Sequence, residues 1–376
     1  MHGLRKDRAR HRGIRPGVLI LFLAGAGLAA LISCSGRAPA AAAPPGTWFQ
    51  LSEGSFAPVA GPSATAPVPR TPWTVQSRVA DMAFLGDELF FGINGAGIAA
   101  LGRDPDGGLR FTYHRDPMIF AHRTITTLVP RRGALVVHLY YNALLNDARP
   151  QDLSLGGISL VAWSPPQKDY AFFVPPFQRR NPDWEAVGFA AESEDSYDLE
   201  WKYTDASETR FQYTRYHADS KTEDPEDRDT FLASLGTASI EGPSVPSDLA
   251  AFFGVCRSRL AAQAPGMSLQ FSLRSRESPV KRSYRSKKES ESAVVIPVFE
   301  EGTTLLALLP GGRLVSSVRG GAPGATPTEA DLPRLPEGFR YTDVVKWGTS
   351  LVVPWEEVAF TDVGRAGILV YPLAAR

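Results

Sequence analysis

Asp81-Met82-Ala83-Phe84-Leu85-Gly86-Asp87-Glu88-Leu89-Phe90-Phe91 aligns without a gap to Asp343-Val344-Val345-Lys346-Trp347-Gly348-Thr349-Ser350-Leu351-Val352-Val353. Both copies read Asp, apolar, two variable positions, apolar, Gly, two variable positions, Leu and two apolar residues. Each is followed by Gly-Ile and a further apolar run, Gly97–Leu101 and Gly367–Tyr371. Weaker echoes lie at Arg132–Val137 with Gly157–Val161, and at Glu301–Ala307 with Gly312–Val315. A glycine between two short apolar runs supplies a turn backbone that other residues reach only at a cost. The unit therefore reads as strand, tight turn, strand, turn, strand.

From Trp73 onwards the chain continues in the same manner, with runs such as LRFTYH, ALVVHLYY, RFQYTRY and AVVIPVF. Their length and their β-branched and aromatic content predict a mainly β domain over 73–376. Asp229–Leu235 and Ser247–Leu260 have helical spacing instead, with Ser247 as N-cap and Leu249, Phe252, Phe253, Cys256 and Leu260 as one apolar stripe. They predict a small helical insertion at about 218–266. The repeats resemble degenerate β-propeller blades over roughly 75–373, without a regular Trp-Asp or kelch signature. The resemblance implies a propeller of about five to seven irregular blades. A two-sheet β-sandwich is the alternative use of the same strands.

Residues 34–72 are rich in Ala and Pro and predict an extended tether. Trp48, Phe49 and Leu51 interrupt it, and aromatic residues are costly to leave in water. A docking strand at 47–51 is the expectation, with Trp48 or Phe49 buried against Leu351–Tyr371 to close the ring. Upstream, a basic segment precedes the uncharged run Gly17–Ala30, which ends at Leu31-Ile32-Ser33-Cys34. This lipobox resembles the signal of bacterial lipoproteins. The resemblance implies removal of residues 1–33, acylation of Cys34, and attachment to the bilayer of the cell envelope. Ser35, where an Asp would favour retention at the inner membrane in some families, leans towards the outer membrane.

Removing residues 1–33 takes away six of the 40 basic residues and one of the 40 acidic ones, leaving 34 and 39. A mildly acidic chain of this kind is not a nucleic-acid binder, which needs a concentrated basic face. The cluster Lys281, Arg282, Arg285, Lys287 and Lys288 reads as a solvated hairpin tip. Cys256 is the only cysteine besides Cys34 and reads as a buried apolar residue.

No catalytic constellation is legible. The histidines after residue 33, His114, His122, His138 and His217, have no metal-ligand spacing, and no metal or cofactor is expected. His138, inside an apolar strand, reads as a hydrogen-bonded structural residue. Ile93–Gly97 (INGAG) reads as a turn rather than a dinucleotide loop. Glu192, Glu194, Asp195, Asp198 and Glu200 raise the thought of a glycosidase pair, but they precede a strand as a solvated loop would. Tyr140, Tyr141, Asn142, Trp184 and Trp355 near strand ends are the speculative ligand-binding residues, although such rings also fill space between blades. Tyr197 belongs with them. The expected function is a non-enzymatic binding or scaffolding module for envelope proteins or glycans. A glycan-active hydrolase or lyase is the alternative.

Overall fold

The computed structural model describes residues 46–65, 78–120, 123–141, 160–165, 167–172, 174–205, 207–235, 237–240, 242, 245–261, 268–285, 293–320, 327–358 and 364–373. The N-terminal segment supplies β1 (Thr47–Ser52) and β2 (Ser55–Val59). The first blade is the antiparallel meander β3 (Val79–Leu85), β4 (Glu88–Ile93), β5 (Gly97–Arg103) and β6 (Leu109–His114). After α1 (Pro117–Phe120) the second blade contains β7 (Arg123–Arg131), β8 (Ala134–Tyr141), β9 (Leu160–Ser164) and β10 (Asp169–Phe172). Then α2 (Pro176–Arg180) leads into the third, β11 (Glu185–Ala191), β12 (Ser196–Thr204), β13 (Thr209–His217) and β14 (Thr222–Glu226).

The fourth blade is larger. It is preceded by α3 (Arg228–Ser234), β15 (Thr237–Ser239) and α4 (Ser247–Ala261). Its further strands are β16 (Ser268–Ser275), β17 (Arg282–Arg285), β18 (Ala293–Glu301), β19 (Thr304–Leu309), β20 (Arg313–Val318) and β21 (Thr328–Asp331). Their order is β15-β17-β16-β18-β19-β20-β21, with β16 parallel to β18. The closing blade holds β22 (Phe339–Tyr341), β23 (Val345–Trp347), β24 (Ser350–Glu357) and β25 (Ala366–Pro372). It runs β2-β1-β25-β24-β22, with β23 also on β24.

Alternate residues of one strand serve two different blade interfaces, and this is what makes the fold a propeller, with five blades among the described residues. In β4, Leu89, Phe91 and Ile93 enter the core shared with the closing and fourth blades, whereas Phe90 enters the core shared with the second. From Leu89 to Ile93 this strand carries no polar side chain because neither face meets water. A sandwich would leave one face wet. The repeat's glycines sit in left-handed turns, Gly86 at φ 64° between β3 and β4 and Gly348 at φ 57° between β23 and β24.

Ring closure follows from the aromatic interruption in the tether. Strand β1 pairs antiparallel with β25, placing Trp48 opposite Leu369 and Phe49 opposite Ile368. Trp48, Phe49, Leu51 and Phe56 are all buried. The segment expected as tether with one strand thus contains a β1–β2 hairpin.

The insertion also differs from expectation. Residues 222–226 are the outer strand of the third blade, because Tyr213–His217 offers them an unpaired edge. Helix α3 begins after Asp227, whose carboxylate accepts the Thr230 amide at 2.8 Å. Helix α4 lays Leu249, Phe252, Phe253, Cys256 and Leu260 on the fourth blade. Among the described residues no hydrophobic cluster joins the third and fourth blades directly. Instead Phe231 of α3 packs on Tyr213 of β13. Burial pushes the Cys256 thiol up to about 12, so it stays protonated and apolar in behaviour.

Candidate functional site

The aspartates that head the two repeat copies converge. Each first accepts the amide of the next residue, Asp81 from Met82 at 2.7 Å and Asp343 from Val344 at 2.8 Å. One guanidinium nitrogen of Arg274, on β16, then donates to both, at 2.7 Å to Asp81 and 2.8 Å to Asp343. Lys281 also donates to Asp81. From the second blade the Leu128 amide and Thr127 hydroxyl reach the other Asp81 oxygen at 2.7 and 3.0 Å. The first, second and fourth blades meet at this carboxylate, and Arg274 links it to Asp343 of the closing blade, which marks the ring axis. Burial alone would raise the Asp81 pKa, but Lys281 and Arg274 overcome it and hold the group well below the usual carboxylate range. Nearby, Arg276 lies 4.5 Å from the Phe84 ring centroid and pairs with Asp87 and Glu301. The axis is a closed network of two acids and two cations. The role of Lys281 corrects its reading as part of a solvated hairpin tip, and Arg282–Arg285 is β17.

The acidic run at 192–200 is likewise not a free loop. Asp198 and Glu200 lie within β12, and Asp198 is fully buried beneath Arg215, which donates to it at 2.6 and 3.1 Å. Arg215 also faces Glu226 at 3.0 Å and Glu192 at 3.4 Å. Asp195 pairs with Arg131 and Arg132 across the second–third blade boundary. Burial, then the neighbouring Asp198, raises the pKa of Glu226. Its Oε2 atom is buried without a hydrogen-bond partner.

His138 is a structural residue. Its Nε2 donates to the Ala186 carbonyl at 3.2 Å, which leaves Nδ1 to accept from the Thr126 hydroxyl at 2.5 Å. Burial lowers its pKa to about 4, partly opposed by the Ala186 carbonyl. The unfolded chain takes up this proton near pH 6.5, so the stability from a neutral His138 is complete above that value. It is lost as pH falls towards about 4, by about 3 kcal/mol in all. Urea unfolding at pH 7 and pH 4.5 should show a smaller acid penalty in His138→Gln than in the parent. An equal penalty in both would exclude His138 as the source.

The described members of the speculative ligand set lie at three different blades. Tyr140 lies opposite Thr124 in the second blade. Trp184 packs on Phe177 and Tyr203 beside the third. Trp355 is 1% exposed in the closing blade, against Phe339, and so offers no surface to a ligand. This is a correction: its ring fills the space that Gly367 leaves in the neighbouring strand. Tyr197 is also buried. Asn142, Cys34 and the Tyr141 side chain lie outside the described residues.

An open groove of about 710 Å³ lies between the fourth and closing blades. Its wall includes Leu260 of α4, Leu269 of β16, Val294 and Val295 of β18, and Leu308 and Leu309 of β19. Arg340, Tyr341 and Thr342 supply its polar atoms from the closing blade, together with the backbone. The Tyr341 hydroxyl is turned away and donates to the Pro333 carbonyl at 2.7 Å, while its ring stacks on Trp48. Sequence reading missed this groove and Arg274. The paired aspartates of the repeat were the available signal for a shared cation.

No curated protein matches this chain. Among solved structures it is similar to an endo-arabinase from Bacteroides thetaiotaomicron VPI-5482, at 12% identity and a TM-score of 0.30, covering 81% of this chain and 99% of that one. It is similar also to the polysaccharide lyase Uly1, at 9% identity and a TM-score of 0.35, covering 88% and 98%. A third similar structure is Sqt1 from Chaetomium thermophilum, at 12% identity and a TM-score of 0.36, covering 85% and 86%. DUF8086, a family of unknown function, matches residues 40–375, and the chain belongs to that family.

Proposed function

We propose that this protein is a membrane-tethered, non-enzymatic binding module of the bacterial cell envelope. It is held by acylated Cys34 and presents the groove between the fourth and closing blades to its ligand or partner. The observation that carries this reading is a division of labour. The acids at the ring axis are committed to Arg274 and Lys281, while among the described residues the open groove is walled by side chains without a carboxylate, imidazole or thiol. Such a surface supports recognition rather than proton transfer. Multiple acyl chains would make the anchor stable. Outer-membrane placement belongs to the same proposal.

Affinity capture from envelope extracts should return a reproducible partner or ligand that is lost in Val295→Glu. Capture of nothing, or of the same material by both proteins, would count against the groove as the binding seat. For the anchor, Cys34→Ala should abolish fatty-acid labelling and release or misprocess the protein. Labelling that persists would remove the lipoprotein reading.

A glycan-active hydrolase or lyase is the second reading, favoured by the buried Asp198 beside Glu226, whose carboxyl is raised. Product release from an envelope-polysaccharide panel, abolished by Glu226→Gln, would put this reading first.

A further inference from the structure

We infer that the groove between the fourth and closing blades binds a free long-chain fatty acid, its hydrocarbon chain along the wall and its carboxylate at the Arg340 rim. The inference rests on reading this groove as the binding seat. Its volume of about 710 Å³ lies in the range that encloses small ligands. Leu260, Leu269, Leu308 and Leu309 come from α4, β16 and β19 and are buried, so they back the groove as its apolar floor, over which the half-buried Val294 of β18 offers open hydrocarbon. Val295 beside them is 53% exposed, an uncommon position for a large apolar residue in a well-packed blade.

The polar groups select the same ligand. Along the groove the Tyr341 hydroxyl is turned away onto Pro333, and the Thr342 amide donates to the Pro354 carbonyl at 3.0 Å. A sugar would lose its hydrogen bonds to water against such a wall and regain few, whereas an alkyl chain loses none. At the rim, the Arg340 side chain is 61% exposed and donates to Glu356 at 2.9 and 2.6 Å. Glu356 also faces Arg78 at 3.8 Å. Two guanidinium groups share one carboxylate, so this group of described residues keeps one positive charge for an anionic head. Stacking of Tyr341 on Trp48 ties this side of the groove to the closing strand, so the site is preformed.

The full chain carrying Cys34→Ala, free of the acylation site, is titrated with the fluorescent fatty acid cis-parinaric acid and then with unlabelled competitors. Palmitate should displace the probe at one site per chain. Saturated acids of increasing length should tighten by about fourfold per methylene until the groove is filled. Val295→Glu should weaken palmitate at least tenfold without changing the melting temperature, because the position is exposed. Arg340→Gln should weaken palmitate about tenfold and leave hexadecanol unchanged. Failure of palmitate to displace the probe, or equal palmitate affinity in Val295→Glu, overturns the inference. Hexadecanol binding as tightly as palmitate overturns the anionic head. If palmitate fails but a captured partner is still lost in Val295→Glu, the acyl ligand is wrong and the binding-module reading stands.

Discussion

Arg274→Ala is expected to destabilise the protein by about 3–5 kcal/mol, a large share of the stability of an ordinary domain. The substitution leaves Asp81 and Asp343 at the ring axis with Lys281 as the remaining cation of the network. Asp81 is 2% exposed, so water cannot readily replace the lost guanidinium. Pairing with an apolar exchange at Asp81 should not restore stability, in contrast to a simple buried ion pair. The Asp81 carboxylate also accepts the amides of Met82 and Leu128, and an apolar side chain would orphan both. Urea unfolding at pH 7 measures the loss, and a change below about 1 kcal/mol would show that the axial network is incidental. The same carboxylate contributes to acid sensitivity. Its folded pKa lies below the unfolded one, so its stabilisation is complete above the usual carboxylate range and is lost as pH falls beneath it.

A chain beginning at Arg70 is expected to lose the cooperative fold. It lacks Trp48, Phe49, Leu51 and Phe56, all buried in the core that joins the closing, first and fourth blades. Four such side chains, at about 1.5–3 kcal/mol each, carry roughly 6–12 kcal/mol. That is comparable to the whole stability of a typical domain. The truncation also bares the edge of β25, whose partner β1 is gone, and an unpaired apolar edge invites association. Thermal unfolding and size-exclusion chromatography should show a broadened transition and oligomers. A monomer that melts like the parent would mean that the ring closes without β1. Gly367→Val probes the same seam within the full chain. A Cβ at Gly367 would stand 1.9 Å from the Phe49 carbonyl oxygen and 2.6 Å from the Trp355 ring, so β1 and β25 could not keep their register.

The blades were legible in the sequence because their determinants are local. Gly86 and Gly348 mark turns within the repeat, and the unbroken apolar runs around Leu89–Ile93 record burial on both faces. The docking strand at Trp48 announced itself in the same way, by aromatic residues that an extended tether has no reason to carry. Each of these signals spans about ten residues and reflects turn chemistry or strand period. Only the tertiary structure decided what the side chains meet. Asp81 and Asp343 occupy matching places in the repeat, yet the Arg274 they share lies in the fourth blade and becomes their neighbour only when the ring closes. Trp355 has the composition of a surface anchor, and it is buried because Gly367 on the next strand leaves room for an indole. The groove gathers α4, β16, β18, β19 and the Arg340–Thr342 segment, none of which carries a local mark of its neighbours. Strand period is a property of the chain, whereas an ion-pair network or a cavity wall is a property of distances between blades.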